Sequence, residues 1–484
     1  MESVYGKYES VIGLEVHIQL LTKSKAYSSD RNEFGAIPNT NVSTITLGHP
    51  GTLPFVNKKT VEFAIKLGLA VKSDISENMY FARKNYFYAD LPKGYQITQD
   101  LTPICVGGEI LIKNKEGENK TINVTRIHME EDAGKSIHDQ DPFNTLVDLN
   151  RAGVPLLEIV SEPELSDSTE AYNYLAEVRK LVRYLEICDG NMEEGNLRCD
   201  ANVSVRPTGQ KELGDRCEVK NMNSLRNVQK AIDYEIKRQI DILETGNPIF
   251  TETRSFDAPT GTTFSLRSKE LAHDYRYFPE PDLQPIKVTK ETIKSIHTAL
   301  PKLPGELFKK FTTDYQLSGY DAYNLTDSKG IALYFEELAG KISNYKSASN
   351  QIMGPVKSYL NTKGVSIHNY PLSTDTIAEI IGIIDDGLIS SSAATQKLYP
   401  LLYDEPGAKV REIAEKNDLL HSSDEDEIEN LAKEIIAKWP DKVAAYKRGK
   451  KNLLGLFMGE LMKVSKGKAD PKVANQLLRK LLED

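Results

Sequence analysis

Val11-Ile12-Gly13-Leu14-Glu15-Val16-His17-Ile18 alternates apolar residues with polar or small ones. A two-residue period marks a strand with one buried face and one polar face. The polar face here carries a carboxylate, Glu15, and an imidazole, His17. Short runs of similar character recur at Glu109–Ile112, Thr121–Ile127, Leu156–Val160 and Ala201–Val205. Gly, Pro and Asn clusters separate them. Helical stretches intervene over 57–71, 168–186 and 224–244. Strands outnumber helices and do not alternate strictly with them, which predicts an α+β fold with a mainly antiparallel sheet rather than a doubly wound one.

Beyond about residue 290 the periodicity becomes mostly helical, as in Thr376–Asp386 and Glu427–Lys438. Pro301, Pro304, Pro371, Pro400 and Pro440 punctuate it. A further boundary falls near Asp404-Glu405-Pro406-Gly407, and the run from His421 to Glu427 reads as a capped helix start. The predicted organisation is a first domain over 1–292, an all-α domain over 293–405 and a small all-α tail over 408–484.

Composition narrows the classes. The chain has 484 residues, 39% hydrophobic and 27% charged, as in ordinary soluble proteins. No apolar run reaches the roughly 18 residues that a membrane span requires. The N-terminal stretch lacks a basic region followed by an apolar one, so a secretory signal is not expected. Cys105, Cys188, Cys199 and Cys217 form no Cys-x-x-Cys pair, and reduced thiols in the cytoplasm are the expectation. Net charge is −9, unlike a protein that coats itself in nucleic acid, so any polyanion contact must be local. Between Lys447 and Lys480, ten Lys/Arg face only Glu460 and Asp470. That module is either a solvated helix face or a surface for a polyanion such as RNA.

Ile127-His128-Met129-Glu130-Glu131-Asp132-Ala133-Gly134-Lys135-Ser136 packs an imidazole, three carboxylates and an ammonium into ten residues. Adjacent carboxylates repel, and a hard divalent cation bound to phosphates would relieve them; an exposed acidic turn is the other reading. His128 and Glu130 repeat the spacing of Glu15 and His17. Glu158 sits inside the apolar run Leu156–Val160, and Asp200 stands beside Ala201–Val205. Strand-borne acids on one face could share Mg²⁺, although Arg126, Arg151 or Arg198 could equally satisfy a lone acid. Hard oxygen donors dominate, so Mg²⁺ is preferred to zinc. Gly134-Lys135-Ser136 is not a P-loop, because Met129 stands where that motif needs glycine. The stretch from Arg83 to Gln96 holds Tyr86, Phe87, Tyr88 and Tyr95 with Arg83, Lys84 and Lys93. It can stack a base, line a polar passage or form a core strand with snorkelling cations. The stretch from His273 to Asp282 is an aromatic and charged turn that could order a loop beside the site.

Together these residues resemble one family, the B subunit (GatB) of the glutamyl/aspartyl-tRNA amidotransferase. The blocks that carry the resemblance are Gly13–His17, Pro38–Asn41, Arg83–Tyr88, His128–Lys135, Asp148–Arg151, Gly153–Pro163, Arg198–Asn202, Glu218–Ser224 and Asp274–Asp282. They are dense from about 11 to 283 and looser beyond, at Asp386-Gly387 and Gly455–Gly467. Ala82 and Ala89 depart from the Asp and Pro that relatives often carry.

The resemblance implies a cradle-shaped domain related to glutamine synthetase, then a helical domain and a YqeY-like tail. It also implies chemistry: ATP activates the side-chain carboxylate of Glu-tRNA(Gln) or Asp-tRNA(Asn) as an acyl phosphate. Ammonia released by the amidase, the A subunit, then forms the amide, in a heterotrimer with a small C subunit. Glu15, His17, Glu130, Glu131, Glu158 and Asp200 would be catalytic and hold Mg²⁺. Arg151, Arg198, Asn202 and Lys220 would bind nucleotide phosphates, and Lys84, Tyr86, Tyr88 and Lys93 would line the ammonia passage. Lys450, Lys451, Lys466 and Lys468 would contact tRNA. Many relatives carry a structural zinc on two Cys pairs; here the positions are Ser28, Asp30, Ser43 and Thr46, so no zinc is expected. The competing reading is a tRNA-binding scaffold with an inactive pocket.

Overall fold

The alternating run lies within a twelve-residue strand, Tyr8–Gln19, near the middle of a ten-stranded sheet. The structure is a computed structural model that describes residues 4–268, 275–420, 425–465 and 469–483. From one edge the sheet order is Thr262–Ser268, Glu252–Asp257, Cys217–Met222, Leu197–Pro207, Tyr8–Gln19, Pro155–Ser161, Asn119–Glu131, Cys105–Val106 and Asp74–Ile75. Glu109–Lys113 also pairs with Asn119–Glu131. Only Cys217–Met222 and Glu252–Asp257 run parallel; every other neighbour in this sheet is antiparallel.

Burial follows the period. Ile12, Leu14, Val16 and Ile18 are wholly buried, while Glu15 and His17 between them face the other side. Helices Lys58–Ala70, Ser168–Tyr184 and Leu225–Glu244 supply the matching apolar faces, among them Phe63, Leu67, Tyr174, Val178, Val228 and Ile232. Asn57, Asp167 and Ser224 cap these helices by accepting a first-turn N–H. Hydrophobic burial thus fixes one sheet face against helices and leaves the other for polar groups.

The chain divides into two compact units at Pro304/Gly305. The first extends past 292, because Ile293, Ile296, Leu300 and Leu303 pack on the sheet's core. The described elements of the second are all helical. Its C-terminal portion has a separate core that includes Ile428, Ile435, Phe457, Leu461 and Leu478. His421–Asp424, the expected helix cap, lie outside the described residues, and the helix itself is Glu425–Lys438. No described helix is long and apolar enough to cross a membrane. All four cysteines are unpaired and buried.

Candidate active site

Register brings Arg198, His17, Glu158 and His128 into one row across four neighbouring strands. Asp200 and Glu15 pair in the row two residues along. Side chains two apart on a strand share a face, so Glu130 joins them from the strand that carries His128.

The centre of this face is a shared carboxylate. His17 Nε2 and His128 Nε2 each lie 3.2 Å from Glu158 Oε2. Glu130 lies 3.7 Å from each imidazole, through different oxygens. Burial lowers the affinity of both imidazoles for a proton, but the facing carboxylates outweigh it. His17 is raised, and His128 is pushed up to about 9. Burial raises Glu158 too, yet His128 and His17 hold it well below the usual carboxylate range. Ligand atoms of His17, Glu130 and Glu158 all lie within 4.8 Å of one another. An imidazole and two carboxylates so placed match the donor types that a divalent cation takes. Buried His128 Nδ1 has no hydrogen-bond partner.

Glu15 and Asp200 lie beside this trio. Burial, then Glu158, raise the Glu15 carboxyl, while the Asn202 amide donates to it at 2.9 Å and opposes the rise. Lys220 bridges Asp200 at 2.6 Å and Glu218 at 2.8 Å. Burial lowers the Lys220 ammonium, but Asp200 and Glu218 raise it on balance. Asp132 accepts from Arg198 at 2.8 Å and from Gln19 at 2.7 Å, with Arg151 Nε at 3.7 Å. Against burial, Arg198 and Arg151 hold Asp132 low. Arg198, Asn202 and Lys220 therefore each donate to an acid of this face, whereas Arg151 donates to the Ala133 and Gly134 carbonyls at 3.0 and 2.6 Å and only approaches Asp132.

Glu131 is not brought to the trio. Strand alternation turns it away from Glu130, onto an ion pair with Lys93 and a hydrogen bond from the Ile97 N–H at 2.9 Å. The pair lines a separate cavity of about 260 Å³ with Tyr27 and Arg83. Lys93 is thus held by Glu131, whereas Lys84 lies 4.6 Å from the Tyr275 ring centre. Tyr86 meets Tyr88 and Tyr275 edge-on. The Tyr86 hydroxyl donates to Gln96 at 3.2 Å, and the Gln96 amide donates to the Glu131 carbonyl at 2.5 Å. The aromatic group and the buried ion pair are therefore joined by one side chain. Burial lowers the Lys84 ammonium, but Glu130 draws it up overall, which ties this group to the trio as well.

In the early loop the Asp30 carboxylate accepts from Ser28 at 3.1 Å, from the Ser43 N–H and hydroxyl at 2.9 Å, and from Thr46. Burial opposes ionisation there, but Thr46 and Ser43 hold Asp30 low. In the second unit, Lys451 Nζ lies 4.2 Å from the Tyr446 ring centre and Lys450 is exposed. Lys466 and Lys468 lie outside the described residues.

The sequence reading did not single out Lys25, Gln96 or Glu218. Strand alternation through Cys217–Met222 could have found Glu218 beside Lys220. Nothing in the sequence marks Lys25, which is wholly buried and donates to the Asn41 carbonyl at 2.6 Å.

Known proteins are similar to this chain along nearly all of its length. Residues 10–294 match a family described as the GatB/GatE catalytic domain, and residues 333–482 match one described as a GatB domain. The B subunit of the aspartyl/glutamyl-tRNA(Asn/Gln) amidotransferase of Myxococcus xanthus is 46% identical over 477 residues, covering 99% of each chain. The protein of that name from Chlorobium phaeobacteroides is 48% identical, covering 98% of this chain and 99% of its own. That from Pelodictyon phaeoclathratiforme is 49% identical, covering 99% and 100%.

Proposed function

Since this chain belongs to the B-subunit (GatB) family of the aspartyl/glutamyl-tRNA amidotransferases, we propose that it carries out ATP-dependent amidation of Glu-tRNA(Gln), Asp-tRNA(Asn) or both. The observation that carries this reading is the trio His17, Glu130 and Glu158, whose ligand atoms converge within 4.8 Å on a polar sheet face. A pocket serving only to hold tRNA has no use for it.

A carboxylate is a poor acyl donor because its oxygen leaves badly. In this reading the substrate carboxylate attacks the γ-phosphorus of ATP, and ADP departs. Ammonia then attacks the acyl carbon, phosphate leaves with the C–O electron pair, and nitrogen gives up a proton. Mg²⁺ held by His17, Glu130 and Glu158 would offset charge on the phosphates. Glu15 and Asp200 complete the acidic face; Arg198, Asn202 and Lys220 would exchange their acid partners, and Arg151 its backbone carbonyl partners, for phosphate oxygens. Ammonia from the amidase, the A subunit, would pass Lys84, Tyr86, Tyr88 and the Lys93–Glu131 pair. The sheet unit would be the glutamine-synthetase-like cradle, followed by a helical domain to about 405 and a tail over 408–484. The tail would contact tRNA through Lys450 and Lys451, with Lys466 and Lys468 nearby in sequence. The small C subunit would complete a cytoplasmic heterotrimer. The hydroxyls around Asp30 satisfy that carboxylate directly, which supports a loop without zinc.

The test is amidation of both mischarged tRNAs by the assembled complex with ATP and Mg²⁺. Amide product on at least one is expected. Product formed equally without ATP, or on neither tRNA, overturns the reading.

A further inference from the structure

Away from the acidic face, a cavity of about 600 Å³ opens between helix Ser168–Tyr184, the loop that follows it and the start of helix Leu225–Glu244. Arg179, Arg183 and Arg226 line it. Among the described residues none of these guanidiniums makes an ion pair; Arg179 donates to the Gly190 carbonyl at 2.8 Å. This is unlike Arg83, Arg151, Arg198, Arg206, Arg238 and Arg254, each of which faces a carboxylate.

The arrangement is built rather than incidental. Gly190 has φ +68°, and a Cβ there would meet Arg179 Cγ at 2.8 Å and Arg183 Cδ at 3.4 Å. Glycine at this turn therefore lets both arginine stems lie across the backbone. Two acids, Asp189 and Glu193, also line the cavity, and Asp189 accepts from the Asn191 N–H at 2.8 Å and from the Asn196 amide at 2.9 Å. Three arginines against these two carboxylates leave the lining with a net positive charge. The positive end of the twenty-residue helix Leu225–Glu244 adds to the same field.

We propose that this cavity seats backbone phosphates of the RNA substrate, an inference that rests on the amidation reading above. Placement favours RNA. The loop through Asn191 and Asn196 leads directly into Arg198, and the strand carrying Lys220 ends at Met222, just before the cavity's Asn223. An RNA strand that presents its 3′ end to the acidic face would carry its next phosphates past these neighbouring segments. Arginine suits them because its planar fork pairs with two phosphate oxygens at once. Tyr172 offers a ring for a sugar or base beside them.

The experiment uses the assembled complex carrying Arg183→Gln and Arg226→Gln, two residues outside the acidic face. The dissociation constant for tRNA is expected to rise about tenfold, and the log–log salt dependence to flatten by about 1 to 2. KM for mischarged tRNA should rise with kcat unchanged, and the double Lys variant should recover part of the loss. Unchanged tRNA affinity and salt slope overturns the proposal. So does a rise in KM for ATP alone, which would make the cavity a nucleotide site, or failure of the three proteins to assemble, which would make it an interface. If the unsubstituted complex forms no amide, the amidation reading fails, while the tRNA-binding comparison still decides this one.

Discussion

His128 and Glu158 are register partners on neighbouring strands, and Nε2 of one lies 3.2 Å from Oε2 of the other. His17, the partner on the opposite side, approaches the same oxygen at the same distance. One carboxylate oxygen thus organises two imidazoles, and Glu130 has only the edges of both.

Glu158→Gln keeps the shape and removes the charge. ATP-dependent amidation by the complex is expected to fall by about 100-fold, with the loss partly recovered at high Mg²⁺. An unchanged rate with an unchanged Mg²⁺ requirement would remove Glu158 from the site. Circular dichroism checks that the sheet persists.

Lys93 and Glu131 are both largely shielded from solvent, so removing one alone would leave a buried charge and cost about 3–5 kcal/mol. The double variant Lys93→Met/Glu131→Gln avoids this. Glutamine-driven amidation is expected to drop about tenfold relative to amidation driven by added ammonium, because passage and not chemistry is altered. Equal losses with both nitrogen sources would place the pair in the chemical step.

Lys25 is wholly buried, and desolvation lowers its pKa to about 8 despite Asp30, Glu131 and Asp148 nearby; Lys93 lowers it further. Its folded pKa is therefore below its unfolded one. Between about pH 8 and 10.5 the unfolded chain binds more protons, so stability contributed by this group rises through that window. Below pH 8 the folded state carries the cost of a buried ammonium. Lys25→Met is expected to remove this rise, on the order of 1–3 kcal/mol, in urea titrations at pH 7.5 and pH 10. Parallel pH profiles for both proteins would refute the assignment.

Gly68 lies within helix Lys58–Ala70, where alanine would by itself favour the helix by about 1 kcal/mol. A Cβ there, however, would meet Ile75 Cδ1 at 2.7 Å and Cys105 Sγ closer still. Overpacking costs about 1–3 kcal/mol, so Gly68→Ala is expected to lower the urea midpoint modestly. A raised midpoint would mean that the helix can shift off the sheet.

Several elements are legible from local sequence alone. The run 11–18 lies in strand Tyr8–Gln19, 156–160 in Pro155–Ser161 and 201–205 in Leu197–Pro207. Helices expected over 57–71, 168–186 and 224–244 are Lys58–Ala70, Ser168–Tyr184 and Leu225–Glu244. Each has a strong local period and a capping side chain, which are properties of neighbouring residues. The segment 127–136 is harder. Its density of acids suggests one cluster, but strand Asn119–Glu131 carries the alternation through it and sends Glu130 and Glu131 to different partners. Lys25 is invisible at this level, since burial of an ammonium depends on the loops that close over it.

By itself the sequence determined the two faces of each strand: Leu14, Val16 and Ile18 inward, Glu15 and His17 on the polar side. That follows from pleat geometry and the cost of burying unpaired charge, both local. Only the tertiary structure decided that Glu158 stands between His17 and His128, and that Asp132 takes Arg198. Strand order and register join segments more than a hundred residues apart, such as Tyr8–Gln19 and Pro155–Ser161. They are set by which apolar faces pack together across the whole sheet, and no local period encodes that choice.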